Sequence, residues 1–317
     1  MSRPTFPRFA WCVLAYTVLV AVWGAFVRAT GSGAGCGNHW PLCNGEVLPR
    51  APAMETLIEL SHRVTSGILG PLVVVLAVWA WRSFGARHRV TRAALAVVLL
   101  TVVEALIGAG LVRFELVADN ASAARGFVMA AHLLNTFVLL ASLVLTAAWG
   151  AGWEAPRLRG QGAVGWLLLG GLVALSIVGA SGAVTALGDT LYPVASLTEE
   201  SIRELPATSR VLVRLRILHP LLAAGAAAYL LVMAVVLRGL RPGPRVGRLT
   251  WGLGVLFAVE LAAGLLNVAL AAPVWLQLVH LGLAYLVWLA LVLLTAAALA
   301  EPAAAADEAG LAAAEPA

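Results

Sequence analysis

From Phe9 onward the chain is a series of long apolar runs broken by short polar segments. A helix needs about 20 apolar residues to cross the hydrocarbon core of a bilayer. Eight runs reach that length: 10–29, 58–81, 93–113, 126–149, 163–187, 211–237, 249–270 and 274–299. The expected fold class is all-α, a polytopic membrane protein with eight transmembrane helices. The run from Phe9 is long enough to span, so no cleavable signal peptide is expected. After Glu301 the chain is alanine-rich with scattered acids, and 301–317 is expected to be a disordered tail.

Composition agrees with the pattern. Of 317 residues, 61% are hydrophobic and 12% charged, too apolar for a soluble globule. A net charge of +5 does not point to nucleic acid. The 21 basic residues are all arginine, and they gather in alternate short loops. Arg3 and Arg8 precede the first span; Arg82, Arg87, Arg89 and Arg92 follow the second; Arg157 and Arg159 follow the fourth; Arg238, Arg241, Arg245 and Arg248 follow the sixth. The positive-inside rule makes these segments cytoplasmic, with both termini inside a cell (plasma) membrane. The other loops mix signs, as in Glu46 and Glu55 with Arg50, Glu115 and Asp119 with Arg125, and Glu199, Glu200 and Glu204 with Arg203. Those face outward.

The two halves of the chain repeat one plan: a Gly-rich helix exit, a long outer loop, then a helix carrying a histidine. Glu104 begins EALIGAG in the third span and Glu260 begins ELAAGLL in the seventh. His132 in AAHLLNTFVLL and His280 in LVHLGLAYLVW stand at corresponding points. The expected organisation is two pseudo-symmetric four-helix bundles, 1–150 and 151–300, related as a parallel repeat.

Four histidines, His62, His132, His219 and His280, lie near the outer ends of alternate spans. Imidazole is rare inside a membrane, and histidines paired across a helical bundle are natural axial ligands for haem iron. Spans two, four, six and eight run in one direction, so His62 can face His132 and His219 can face His280. The plainer alternative is four ordinary hydrogen-bonded histidines near helix starts.

The first outer loop, GSGAGCGNHWPLCNG (31–45), holds Cys36 and Cys43 on the oxidising side of the membrane. As a disulfide the pair is either a structural staple or a redox-active couple, and His39 between them admits a weak metal site. Cys12, in the first span, is expected to be a buried apolar filler. Glu59 and His62, three apart in IELSHRVTSG, share one helical face. Glu59 there serves either proton movement beside a haem ligand or first-turn stabilisation of the helix dipole.

The loop and the Glu-x-x-His pattern, with a histidine on each even span, resemble the haem A synthase family over nearly the whole chain. That resemblance implies an oxidoreductase that converts a methyl group of haem O to a formyl group, giving haem A for terminal oxidases. It implies that Glu59 is the catalytic carboxylate and that Cys36 and Cys43 are the loop's disulfide pair. It further implies that His62 and His132 flank the substrate haem iron and that His219 and His280 ligate the iron of a resident haem b. Partners on this reading are haem O, haem O synthase, an unidentified electron acceptor and the lipid bilayer, with a homo-oligomer left open. Arg63, Arg125, Arg214 and Arg216 are candidates for contact with haem propionates, or else interfacial anchors.

Three features depart from the family's pattern. The loop GDTLYPVASLTEES (188–201) lacks the second cysteine pair that some members carry there. Pro220 follows His219 and disfavours helix in the residue before it, so His219 is expected at a kink or a late helix start. Glu104 and Glu260 stand where amides are expected, and if buried should be neutral or hydrogen-bonded. Two rival functions use parts of the same pattern. A bis-histidine di-haem cytochrome passing electrons needs the histidines but neither Glu59 nor the cysteine loop. A transporter would use Glu104 and Glu260 as ion sites at the repeat interface.

Overall fold

Each expected span becomes one helix, generally longer than its apolar run because the helix continues into the polar flanks. The structure, a computed structural model, describes residues 5–193 and 207–300. Its helices are α1 (Thr5–Ala29), α2 (Met54–Phe84), α3 (Arg89–Arg113), α4 (Ala123–Gly150), α5 (Gly162–Leu191), α6 (Ala207–Leu240), α7 (Pro244–Ala269) and α8 (Val274–Ala300). Among the described residues there is no β-strand, only one isolated bridge between Cys43 and Glu46. All eight helices are long and apolar enough to cross a membrane, and the chain is a multi-pass membrane protein. The loop residues Glu199, Glu200, Arg203 and Glu204, and the tail 301–317, lie outside the described residues.

Helix ends follow local chemistry. The hydroxyl of Ser122 accepts the backbone N–H of Arg125 at 3.3 Å and so caps α4. Pro244 opens α7, where its missing N–H has no helical partner to lose. Gly85 closes α2 at φ 87°, a backbone region that side chains disfavour. The last carbonyls of α8 need donors, and Arg241, 4% exposed, supplies one to Ala298 at 3.2 Å. The same guanidinium donates to Gln161 Oε1 at 2.7 Å, joining the start of α5 to the end of α8.

The sequence α1–α2–α3–α4 closes into one ring of packed helices, and α5–α6–α7–α8 into another. The rings meet through α1 and α4 on one side and α5 and α8 on the other. Lipid is as apolar as leucine, so close fit rather than water expulsion must hold such an interface together. The Phe137 and Trp288 rings stack at 4.6 Å, and Trp288 Nε1 donates to the Phe137 carbonyl at 2.7 Å. Gly179 lets α5 press on this stack: a Cβ there would fall 2.8 Å from the Phe137 ring.

Two expectations about single residues need correction. Cys12 is exposed rather than buried, because it lies off the stripe formed by Ala10, Val13, Leu14 and Thr17 that faces the bundle. α6 runs unbroken through Pro220, so His219 does not mark a late helix start. The proline removes the N–H that would have bonded the Arg216 carbonyl, a loss that membrane helices tolerate.

Candidate functional site

His62 on α2, His132 on α4, His219 on α6 and His280 on α8 sit about two to three turns inside their helices. His62, His132 and His219 stand further from their helix starts than from the starts of their apolar runs, because α2, α4 and α6 begin before those runs do. Three of the four rings lie directly against the backbone of a neighbouring helix. A Cβ on Gly24 of α1 would fall 2.9 Å from His62 Cε1, one on Gly182 of α5 2.9 Å from His219 Cε1, and one on Gly264 of α7 3.0 Å from His280 Cε1. Only glycine leaves room for an imidazole there. The repeat breaks at Gly108 of α3, beside which nothing lies within 4 Å.

The His219 and His280 ring centres are 6.4 Å apart, with the planes at 78°. Two imidazoles on opposite sides of one metal, each about 2 Å from it as on other first-row ions, have ring centres roughly 6 Å apart. The spacing therefore suits two axial ligands of one iron. His219 Nδ1 lies 2.9 Å from Ser181 Oγ, which leaves Nε2 as the nitrogen available for coordination. In the first half, His62 has His132, Arg63 and Glu104 as its electrostatic neighbours. Its Nδ1 is buried without a hydrogen-bond partner among the described residues.

No group of three or more His, Cys, Asp or Glu among the described residues is placed to hold a bare metal ion. Paired histidines need no third protein ligand when the metal arrives with a porphyrin already occupying its equatorial positions. The residues present fit haem better than a free cation. At His39, which admitted a weak metal site, the flanking Cys36 and Cys43 are joined to each other, Sγ to Sγ at 1.99 Å, and His39 is exposed.

Two carboxylates missing from the expected ligand sets stand behind the histidines. Glu104 Oε1 lies 3.1 Å from His132 Nδ1, and Glu260 Oε1 lies 3.0 Å from His280 Nδ1. Asn135 Nδ2 donates to Glu104 Oε2 at 2.5 Å, and the Thr136 hydroxyl donates to Oε1. α3 contains no proline and α7 only Pro244 at its first turn, and both run without interruption past these carboxylates.

Glu59 is 3% exposed and held on both oxygens. The Cys36 backbone N–H donates to its Oε2 at 2.8 Å, and Arg63 Nε donates to its Oε1 at 3.1 Å. Arg63 also donates to the carbonyls of His39 at 2.7 Å and Leu42 at 2.5 Å. One arginine thus ties the carboxylate to the cysteine loop. The loop reaches α2 because Gly35 has no side chain; a Cβ there would lie 2.5 Å from the Glu55 carbonyl. Thr56 Oγ1 donates to the Gly35 carbonyl at 2.7 Å and closes the contact.

Of the other arginines proposed for propionates, Arg125 donates to the carbonyls of Ala118 at 2.5 Å and Asn120 at 3.0 Å. Arg216 pairs with Asp189 at 2.5 Å and also bonds the Gly188 and Tyr192 carbonyls. Arg214 is exposed. A residue that sequence reasoning passed over does more to link the halves. Arg28, at the end of α1, donates to the Ala186 carbonyl and Thr190 Oγ1 of α5, both at 2.6 Å, and to Gln277 Oε1 of α8 at 3.0 Å. Its place among the mixed-sign outer segments gave no hint of this, since only the packed bundle brings α1 to α5 and α8.

The chain is 52% identical over 281 residues to a protoheme IX farnesyltransferase of Thermus thermophilus, a match covering 88% of this chain and 46% of that one. It is 46% identical over 126 residues to a heme A synthase of Halalkalibacterium halodurans, covering 40% of this chain and 42% of that one. With a heme A synthase of Bacillus cereus it is 50% identical over 96 residues, 30% of each chain. The chain thus spans less than half the length of these curated relatives. Residues 7–292, which include all four histidines and the cysteine loop, match the family COX15-CtaA, described as cytochrome oxidase assembly protein. The chain belongs to that family.

Proposed function

We propose that this chain is a haem A synthase, oxidising the methyl group of haem O to a formyl group. The observation that carries the reading is the join between Glu59 and the cysteine loop, one helical turn from His62 in a helix bundle that also holds His132 and the neighbouring rings of His219 and His280. An electron-transfer cytochrome has no use for that join. The names of the heme A synthase relatives support the same chemistry.

On this reading His62 and His132 hold the substrate haem, and Glu59 takes up a proton as the methyl group is oxidised. The conversion passes through an alcohol and a hydrated aldehyde, which loses water to give the formyl group. Written with water as the oxygen source, methyl to formyl releases four electrons and four protons to an electron acceptor outside the chain. His219 and His280 hold a haem b, which supplies one-electron transfer when bound. The chain's own work is to fix the macrocycle, keep Glu59 in place and exclude water between the helices. The Cys36–Cys43 disulfide holds the loop over Glu59. Both termini face the cytoplasm of a cell membrane and the histidine clefts lie toward the outer face, in keeping with the arginine-rich inner loops. The farnesylated substrate comes from a haem O synthase, consistent with the name of the Thermus thermophilus relative.

The test is to co-express the chain with a source of haem O and identify the extracted porphyrins by mass. Haem A is the expected product. Haem O recovered unchanged, with haem bound to the protein, would instead make this a di-haem cytochrome.

A further inference from the structure

We propose that Glu104 and Glu260 are positioning residues that accept the Nδ1–H of His132 and His280 and so make those two imidazoles the stronger iron donors in their clefts. The inference rests on the haem-binding reading above.

The geometry is repeated in both halves. Glu104 on α3 and Glu260 on α7 both reach the histidine of the following helix, at 3.1 Å and 3.0 Å. Both contacts are short but not linear, so neither Nδ1 yet has an aligned hydrogen bond. With Nδ1–H given to the carboxylate, Nε2, across the ring, would be the nitrogen left to meet iron. A carboxylate behind a ligating histidine fixes its tautomer and raises its basicity toward the metal.

The partner histidines lack this backing. His219 Nδ1 meets only the Ser181 hydroxyl at 2.9 Å, and His62 Nδ1 has no hydrogen-bond partner among the described residues. Each cleft therefore joins one carboxylate-backed histidine to one that is not. The two carboxylates also differ from each other. Glu104 also accepts from Asn135 and Thr136, whereas Glu260 Oε2 is buried with no hydrogen-bond partner among the described residues. Glu260 should act more strongly on His280 than Glu104 acts on His132.

A more basic axial ligand favours ferric over ferrous iron and lowers the reduction potential. The experiment is a redox titration of the purified, haem-loaded protein, following the spectrum of each haem in the wild type, Glu104→Gln and Glu260→Gln. Both substitutions should raise the midpoint potential of the haem in their own half, Glu260→Gln by more, with haem affinity falling about ten- to hundredfold. Unshifted potentials in variants that keep their haem would overturn the proposal and leave haem binding standing. If a glutamine variant loses its haem, the aspartate variant decides. Retention in Glu260→Asp supports the carboxylate's role, and loss in both variants overturns it. A wild type that binds no haem overturns the haem-binding reading, and this proposal with it.

Discussion

Glu59→Gln is expected to keep haem bound while formyl formation falls by about two to four orders of magnitude, the usual contribution of a positioned proton-transfer group. Glutamine has nearly the same shape, and its carbonyl oxygen can still accept the Cys36 N–H that now reaches Oε2 at 2.8 Å. The loop should therefore stay seated on α2 through Gly35 and Thr56. What is lost is the carboxylate that pairs with Arg63 and that, on the proposed function, takes up protons. Haem A and haem O extracted from equal amounts of purified variant and wild type provide the readout. Undiminished haem A from the variant would remove Glu59 from the chemistry and leave it a brace for the cysteine loop.

Gly264→Leu should empty the second-half cleft, and Gly24→Leu the first, each removing roughly half of the bound haem because a displaced ring cannot reach iron at bonding distance. A Cβ alone at either position already falls 3.0 or 2.9 Å from a histidine Cε1, so a leucine must push the ring aside. Gly108→Leu is the internal control, since nothing lies within 4 Å of a Cβ there. It stands at the matching point of the repeat and should leave both haems in place. Haem-to-protein ratios and spectra of the three variants separate the outcomes. Equal retention in all three would show that the imidazoles do not need those glycine contacts to bind haem.

The eight helices were legible because a spanning helix must carry its own apolar length, which no tertiary contact can supply. The ends were less so. The polar start of α2 before 58 and the arginine-bearing start of α6 before 211 form helix beyond the hydrocarbon, where hydropathy gives no signal. The four histidines stood out because imidazole is rare in such runs. Their supports did not. Gly24, Gly182 and Gly264 are three among 31 glycines, and only the packing of one helix on another marks them. Glu104 and Glu260 were visible as unusual acids, but nothing in their spacing from His132 and His280 showed that they would touch. Arg63 was read as a propionate candidate from its place near the outer end of its span, while the fold turns it toward Glu59 and the loop carbonyls. Long side chains on a helix near its outer end can reach several partners, and only the loop's path chooses among them.

The central claim is that the histidines work in two pairs, each gripping one tetrapyrrole. It is tested most directly by haem stoichiometry in protein purified from a host that makes haem O, comparing the wild type with His132→Ala and His280→Ala. The account predicts two haems per chain in the wild type. It predicts loss of the first-half haem alone in His132→Ala and of the second-half haem alone in His280→Ala. Full haem content in both variants, or none in the wild type, would contradict it.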